Sequence, residues 1–137
     1  MSQHVPYDNL AEIYDLWVEN YGPVMEQSRA FYSRRYVDTP GPVVELGVGN
    51  GRILIAAALA GKRVIGVDSS TKMLALCRRK AIEAGVEDRI ELVQADFRRF
   101  QLAEPAELIA IPYDSIGHLV DAADKRACFE QVASQLA

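Results

Sequence analysis

The chain is 137 residues long, half of them apolar and a quarter charged, with a formal net charge of −4. This is the make-up of one globular domain, able to bury roughly 68% of its unfolded surface, and it excludes a disordered tail, a collagen-like fibre and a coiled coil. The acidic balance leaves no basic footprint for nucleic acid or an anionic membrane, so neither is expected as a partner.

The first forty residues are polar-aromatic and helical in pattern. Tyr7, Leu10, Tyr14, Trp17 and Tyr21 recur at helical spacings and share one face. Pro6 suits the start of that helix, Gly22-Pro23 interrupts it, and a second helical stretch runs from about Val24 to Tyr36. The breaker cluster Thr39-Pro40-Gly41-Pro42 then divides a segment 1–40 from a core at 41–137.

Beyond that cluster, short apolar runs alternate with helices. Val43–Leu46 reads as a buried strand and Arg52–Ala60, ended by Gly61, as a helix packed on a sheet. Arg63–Val67 is a second strand. Ser69 or Ser70 caps a helix from Thr71 to Ala84, which Gly85 stops. Arg89–Val93 is a third strand, and Leu108–Ile111, closed by Pro112, a fourth. A last helix, Asp124–Leu136, puts Cys128, Phe129, Val132 and Leu136 on one face. Strands this apolar need cover on both sides, so the fold class is α/β, a doubly wound parallel sheet with right-handed crossovers. The fourth strand has an open outer edge. The sequence therefore reads as part of a longer domain, or as one whose edge a partner covers.

Cys77 and Cys128 lie far apart with no CxxC spacing, so two reduced cysteines in helices are expected, with neither a disulfide nor a metal site. No apolar run reaches the length of a membrane span, and MSQHVPYDNL lacks the basic and apolar regions of a signal peptide. A cytoplasmic location is the expectation.

The chemistry lies in Glu45-Leu46-Gly47-Val48-Gly49-Asn50-Gly51-Arg52, where the first strand turns into the first core helix. Glycines there permit a tight turn and close approach of a ligand to backbone, and the helix start offers free N–H groups. The dinucleotide pattern GxGxxG fails, because Arg52 stands where the last glycine belongs. A Walker loop fails too, for want of a following Gly-Lys-Ser/Thr. An acid before the loop suits a ligand with a positive group, not a pyrophosphate. A second acid, Asp68, ends the second strand and suits the two hydroxyls of a ribose. A third, Asp96 in Gln94-Ala95-Asp96-Phe97, suits an adenine amino group, with Phe97 near enough to stack. Parallel strands present these three carboxylates to one crevice.

ELGVGNGR, VIGVDSS and QADF together resemble the motif set of class I S-adenosylmethionine-dependent methyltransferases, over residues 43–136. The resemblance implies a Rossmann-like core and S-adenosyl-L-methionine as cofactor, with Tyr14, Glu45, Gly47, Gly49, Gly51, Asp68, Ser69, Met73, Ala95, Asp96, Phe97 and Ile111 at the cofactor. By its residue type and position Met73 reads as core, and Asp68 also has a reading as a helix cap, which does not exclude ribose binding. It makes the segment after the fourth strand a wall of the methyl-transfer pocket, so Pro112, Tyr113 and His118 are acceptor-site candidates. His118 is a general base or a helix-terminus histidine. The amino-terminal aromatic helix looks like the lid of small-molecule methyltransferases. That brings Tyr7, the catalytic candidate, and Trp17 to the acceptor, although such a stripe also serves packing alone.

Within the family the resemblance is to bacterial natural-product N-methyltransferases acting on amino sugars or nitrogen heterocycles, the toxoflavin-pathway azapteridine type among them. It implies a small-molecule substrate in antibiotic or toxin biosynthesis. The family's fifth strand and final hairpin are missing from the sequence. Three other readings stand beside it: a cofactor-binding module without catalysis, a methyltransferase with an oxygen or protein acceptor, and a nicotinamide oxidoreductase. Oligomeric state is not legible.

Overall fold

The computed structural model describes residues 22–49, 51–112, 119 and 121–137. Tyr7, Tyr14, Trp17, Tyr113 and His118 lie outside them. The elements in chain order are α1 (Gly22–Asp38), β1 (Val43–Leu46), α2 (Arg52–Leu59), β2 (Val64–Asp68), α3 (Thr71–Glu83), a 3-10 turn (Glu87–Arg89), β3 (Ile90–Gln94), β4 (Leu108–Ala110) and α4 (Ala122–Gln135). No helix among the described residues is long and apolar enough to cross a membrane.

The strands form one parallel sheet in the order β3-β2-β1-β4. The chain steps outward from β1 to β2 and β3, then crosses back to lay β4 on the other side of β1. Val44, Glu45 and Leu46 pair with Ile65, Gly66 and Val67 of β2. On the other flank, Val43, Val44 and Glu45 pair with Leu108, Ile109 and Ala110 of β4. The reversal of direction at β1 makes its carboxyl end the topological switch point, where open α/β sheets hold ligands.

Alternation along each strand splits the apolar side chains into two layers. On one face Val43, Val64 and Ile90 pack with Ile53, Leu54, Ala57 and Ala58 of α2, Cys77 and Ala81 of α3, and Tyr36 of α1. On the other, Val44, Leu46 and Val67 pack with Phe97, Phe100, Leu119 and Cys128. Each fully buried Leu, Ile or Val contributes roughly 1.5–3 kcal/mol of transfer free energy, enough to hold short strands in register. β1 is buried at all four positions. β3 and β4 are only part-covered, with Glu91 and Gln94 exposed, so the expectation of strands without a wet face holds for the centre of the sheet and not for its edges.

Helix α1, which the sequence places in segment 1–40, packs in the first layer: Tyr36 is fully buried and Tyr32 packs beside it. One sequence expectation is corrected. The last helix buries Cys128 and turns Val132 to the second layer, but Phe129 is 56% exposed and Leu136 42%. The helix docks along the stripe that runs through Cys128 and Val132, and Phe129 lies a hundred degrees round from Cys128. Leu136 has left the helix and forms a parallel bridge with Ala106. The same end of α4 pins the β3–β4 connection through Gln131 Nε2 to the Phe100 carbonyl at 2.6 Å and Gln135 Oε1 to the Leu102 N–H at 2.9 Å.

Gly51 begins α2 at φ 82°, and a Cβ there would stand 2.5 Å from Cys77 Sγ. Both the left-handed backbone and the thiol require glycine. Gly51→Ala is expected to destabilise the fold by about 1–3 kcal/mol. The check is a lowered urea midpoint at unchanged slope; a wild-type midpoint would show that the loop relaxes around a side chain.

Candidate functional site

The glycine loop starts as a continuation of the sheet. Gly47 N–H donates to the Val67 carbonyl at 2.8 Å, one step beyond the last β1 pair. Gly51 N–H donates to Val48 O at 2.9 Å, and Ile55 N–H to Gly51 O at 2.8 Å starts α2. Gly47, Gly49 and Gly51 all have positive φ. Gly51 offers α2 no side-chain cap, so the first-turn N–H groups have no acceptor from that residue.

Asp68 sits at the end of β2 against this loop. Its Oδ1 accepts the Ser70 N–H at 2.9 Å, and the N–H groups of Gly49, Val48 and Ser69 also act on its carboxylate. Burial pushes its pKa up, and those N–H groups oppose the shift. Ser70 is the helix cap, its Oγ accepting the Met73 N–H at 3.2 Å, while Ser69 is exposed. Met73 is 2% exposed and packs behind that cap. The exit of β3 is tied to the exit of β2 by Ala95 N–H to Asp68 O at 3.1 Å. The structure thus brings the glycine loop, Asp68 and Ala95 to one rim, as the parallel order requires.

Glu45 occupies the third position of β1 and is 1% exposed. Its Oε1 accepts the Tyr36 hydroxyl at 2.7 Å. Burial raises its pKa to about 8, against the opposing Tyr36 bond and with the Asp68 charge adding to the rise. Tyr36 is the residue that sequence reasoning missed. Its signal was faint, a tyrosine in the last turn of a helix just before the breaker cluster.

Asp96 is engaged by its neighbour. Its Oδ1 accepts both the backbone N–H and Nε of Arg98 at 2.8 Å, and its Oδ2 accepts Arg98 Nη2. Arg98 reaches on to Asp124 of α4, Nη1 to Oδ1 at 2.8 Å. The guanidinium holds the Asp96 carboxyl below its ordinary range. Phe97 turns into the second apolar layer and Pro112 is fully buried, so both support the rim from beneath, while Ile111 is half-buried against that layer. Cys77 and Cys128 are free, and burial lifts their thiols to about 12 and about 11.

Residues 43–137 match the family model for a methyltransferase domain. The chain is 28% identical over 130 residues to the dTDP-3-amino-3,6-dideoxy-alpha-D-glucopyranose N,N-dimethyltransferase of Streptomyces fradiae, covering 93% of this chain and 49% of that protein. Its structure superposes on the CcbJ methyltransferase from Streptomyces caelestis with a TM-score of 0.83 at 26% identity, over 97% of this chain and 54% of that one. The glycopeptide N-methyltransferase MtfA complexed with S-adenosyl-L-homocysteine gives a TM-score of 0.69 at 34% identity, over 81% of this chain and 47% of that one. The chain spans about half the length of the curated relatives it matches.

The buried acid has a measurable consequence. Glu45 keeps its proton to about pH 8 in the folded chain, whereas an unfolded carboxyl releases it near 4.5. Its contribution to stability is fully present below pH 4.5 and is lost as pH rises toward 8, at no more than about 1.4 kcal/mol per pH unit. Thermal melts across that window should show wild type losing stability relative to Glu45→Gln as pH rises. Parallel curves would refute the buried, protonated acid.

Proposed function

The chain belongs to the methyltransferase-domain family, and from that premise we propose that it binds S-adenosyl-L-methionine at the carboxyl ends of β1 and β2 and takes part in methylating a nitrogen of a small molecule. The observation that carries the reading is the joint placement of a positive-φ glycine loop and the Asp68 carboxylate at the switch point, each hydrogen-bonded to the other's turn. This donor set fits the cofactor. The glycine loop leaves backbone open beside the amino-acid end, Glu45 would supply negative charge for its ammonium on losing its proton, and Asp68 would offer lone pairs to the ribose hydroxyls. The Ala95–Phe97 turn lies where the base would rest. Asp96 has both oxygens engaged by Arg98, so adenine would meet the backbone of that turn together with whatever lone pairs Asp96 retains.

When bound, the cofactor supplies a methyl group already activated on a sulfonium. The chain's own work is to hold the acceptor in line and keep water out. A neutral amine needs little help from a base, since it loses its proton after it has attacked. Tyr7 and Trp17, together with Tyr113 and His118, are assigned to the acceptor side. The amino-sugar and glycopeptide N-methyltransferases among the relatives support a nitrogen acceptor. An amine on a sugar-like scaffold is the acceptor class we favour.

Calorimetric titration with S-adenosylhomocysteine should give saturable one-to-one binding, and NADH none. NADH binding would restore the oxidoreductase reading. Asp68→Ala should weaken binding by roughly 1–3 kcal/mol, the loss of a charge-assisted hydrogen-bonding partner. Unchanged affinity would end the ribose assignment. Labelled-methyl transfer to a panel of amino sugars, an azapteridine, phenols and a peptide then reads the acceptor. Binding without transfer to any of them favours the non-catalytic module.

A further inference from the structure

A carboxyl group in an apolar layer must either keep its proton or find a partner that offsets its charge, a demand that Gln at the Glu45 position would not make. The acid at 1% exposure is therefore unexplained by packing. Its partner is Tyr36, fully buried in the last turn of α1, which donates at 2.7 Å. The tyrosine is held in place from both sides. Tyr32 and the α2 residues pack around it, and the short link from α1 to β1 is clamped by Lys62 Nζ on the Thr39 and Gly41 carbonyls at 2.7 and 2.8 Å.

Charged and titratable groups face Glu45 from several elements. Among the described residues those acting on it are Tyr36 from α1 and Asp68 from β2. Cys77 of α3 feels its charge through a thiol that stays protonated, and Arg52 at the head of α2 acts on Glu26 of α1. None of the groups acting on Glu45 is a cation. Among the described residues this buried acid has a hydroxyl donor and no cation acting on it, which matches a ligand that brings its own positive charge.

We propose that Tyr36 is a positioning residue for cofactor binding: its hydroxyl orients the Glu45 carboxylate and favours its ionised form, so that the ammonium of the cofactor's amino-acid end meets a fixed anion. The inference rests on the reading of the cofactor given above. It makes ligand binding coupled to release of the Glu45 proton, with the Tyr36 bond setting the pH at which that release becomes easy. Loss of the hydroxyl leaves the acid harder to ionise, since a donor to the charged form lowers a carboxyl pKa.

The test is S-adenosylhomocysteine affinity by calorimetry from pH 5.5 to 8.5, with thermal melts of each variant alongside. Wild type should bind more tightly as pH rises toward 8, by up to about tenfold per unit, as expected for one coupled proton. Tyr36→Phe should move that rise to higher pH and weaken binding at pH 7 by about tenfold, one unit of carboxyl shift. Glu45→Gln should flatten the profile, and in that background Tyr36→Phe should have no further effect on affinity. A Tyr36→Phe variant that melts earlier but keeps the wild-type pH profile assigns Tyr36 to packing alone and overturns the proposal. So does a wild-type profile that is flat while binding remains strong, which leaves the cofactor reading intact. Absence of binding at every pH overturns both. Should Tyr36→Phe fail to fold, the wild-type profile against that of Glu45→Gln decides.

Discussion

A single carboxylate, Asp68, joins the two turns from which the site is made. It receives N–H groups from the glycine loop after β1 and from the turn into α3, so neither turn can move without the other. The loop needs such an anchor because its three glycines would otherwise leave it floppy; glycine loses more backbone freedom on folding than any other residue. The Gly47–Val67 bond does the same service one layer down, carrying the sheet ladder into the loop. The backbone geometry that a ligand would meet is thus set by β2 as much as by β1.

The burial of β1 explains why the acids differ in character. Glu45 lies in the middle of the sheet, flanked by Gly66 and Ala110, and is pushed toward the neutral form. Asp68 is one strand further out and half-buried, and several N–H groups support its charge. Asp96, past the edge strand, is half-exposed and held ionised by Arg98. Three carboxyls at successive strand ends therefore offer three protonation tendencies, graded by distance from the central strand. Desolvation falls from the centre to the edge, and the donor changes from one hydroxyl at Glu45 to backbone N–H groups at Asp68 and a guanidinium at Asp96.

Arg98 extends this rim to the opposite layer. By gripping Asp96 and Asp124 together it ties the turn after β3 to the first turn of α4. The other end of α4 is sewn to the β3–β4 connection through Gln131 and Gln135. The long crossing over the second face, which carries no helix of its own, is held at its start and its middle by side chains of α4, and at Ala106 by backbone bonds to the end of that helix. Its first half is packed down by Phe97 and Phe100 against Val44, Leu46 and Val67.

The sequence by itself determined the order of elements, the parallel sheet and the glycine loop after its first strand. These depend on local signals: apolar runs of strand length, glycine stops, a serine cap, and an acid ahead of a glycine loop. Val43–Leu46 was legible to the residue. The tertiary structure alone decided what each side chain meets. No spacing shows that Tyr36 reaches Glu45, that Arg98 closes on Asp96, or that Phe129 faces outward while Cys128 is buried. Periodicity names the face of an element, but the partner on that face comes from how separate elements pack, and that is a long-range choice the local pattern does not carry.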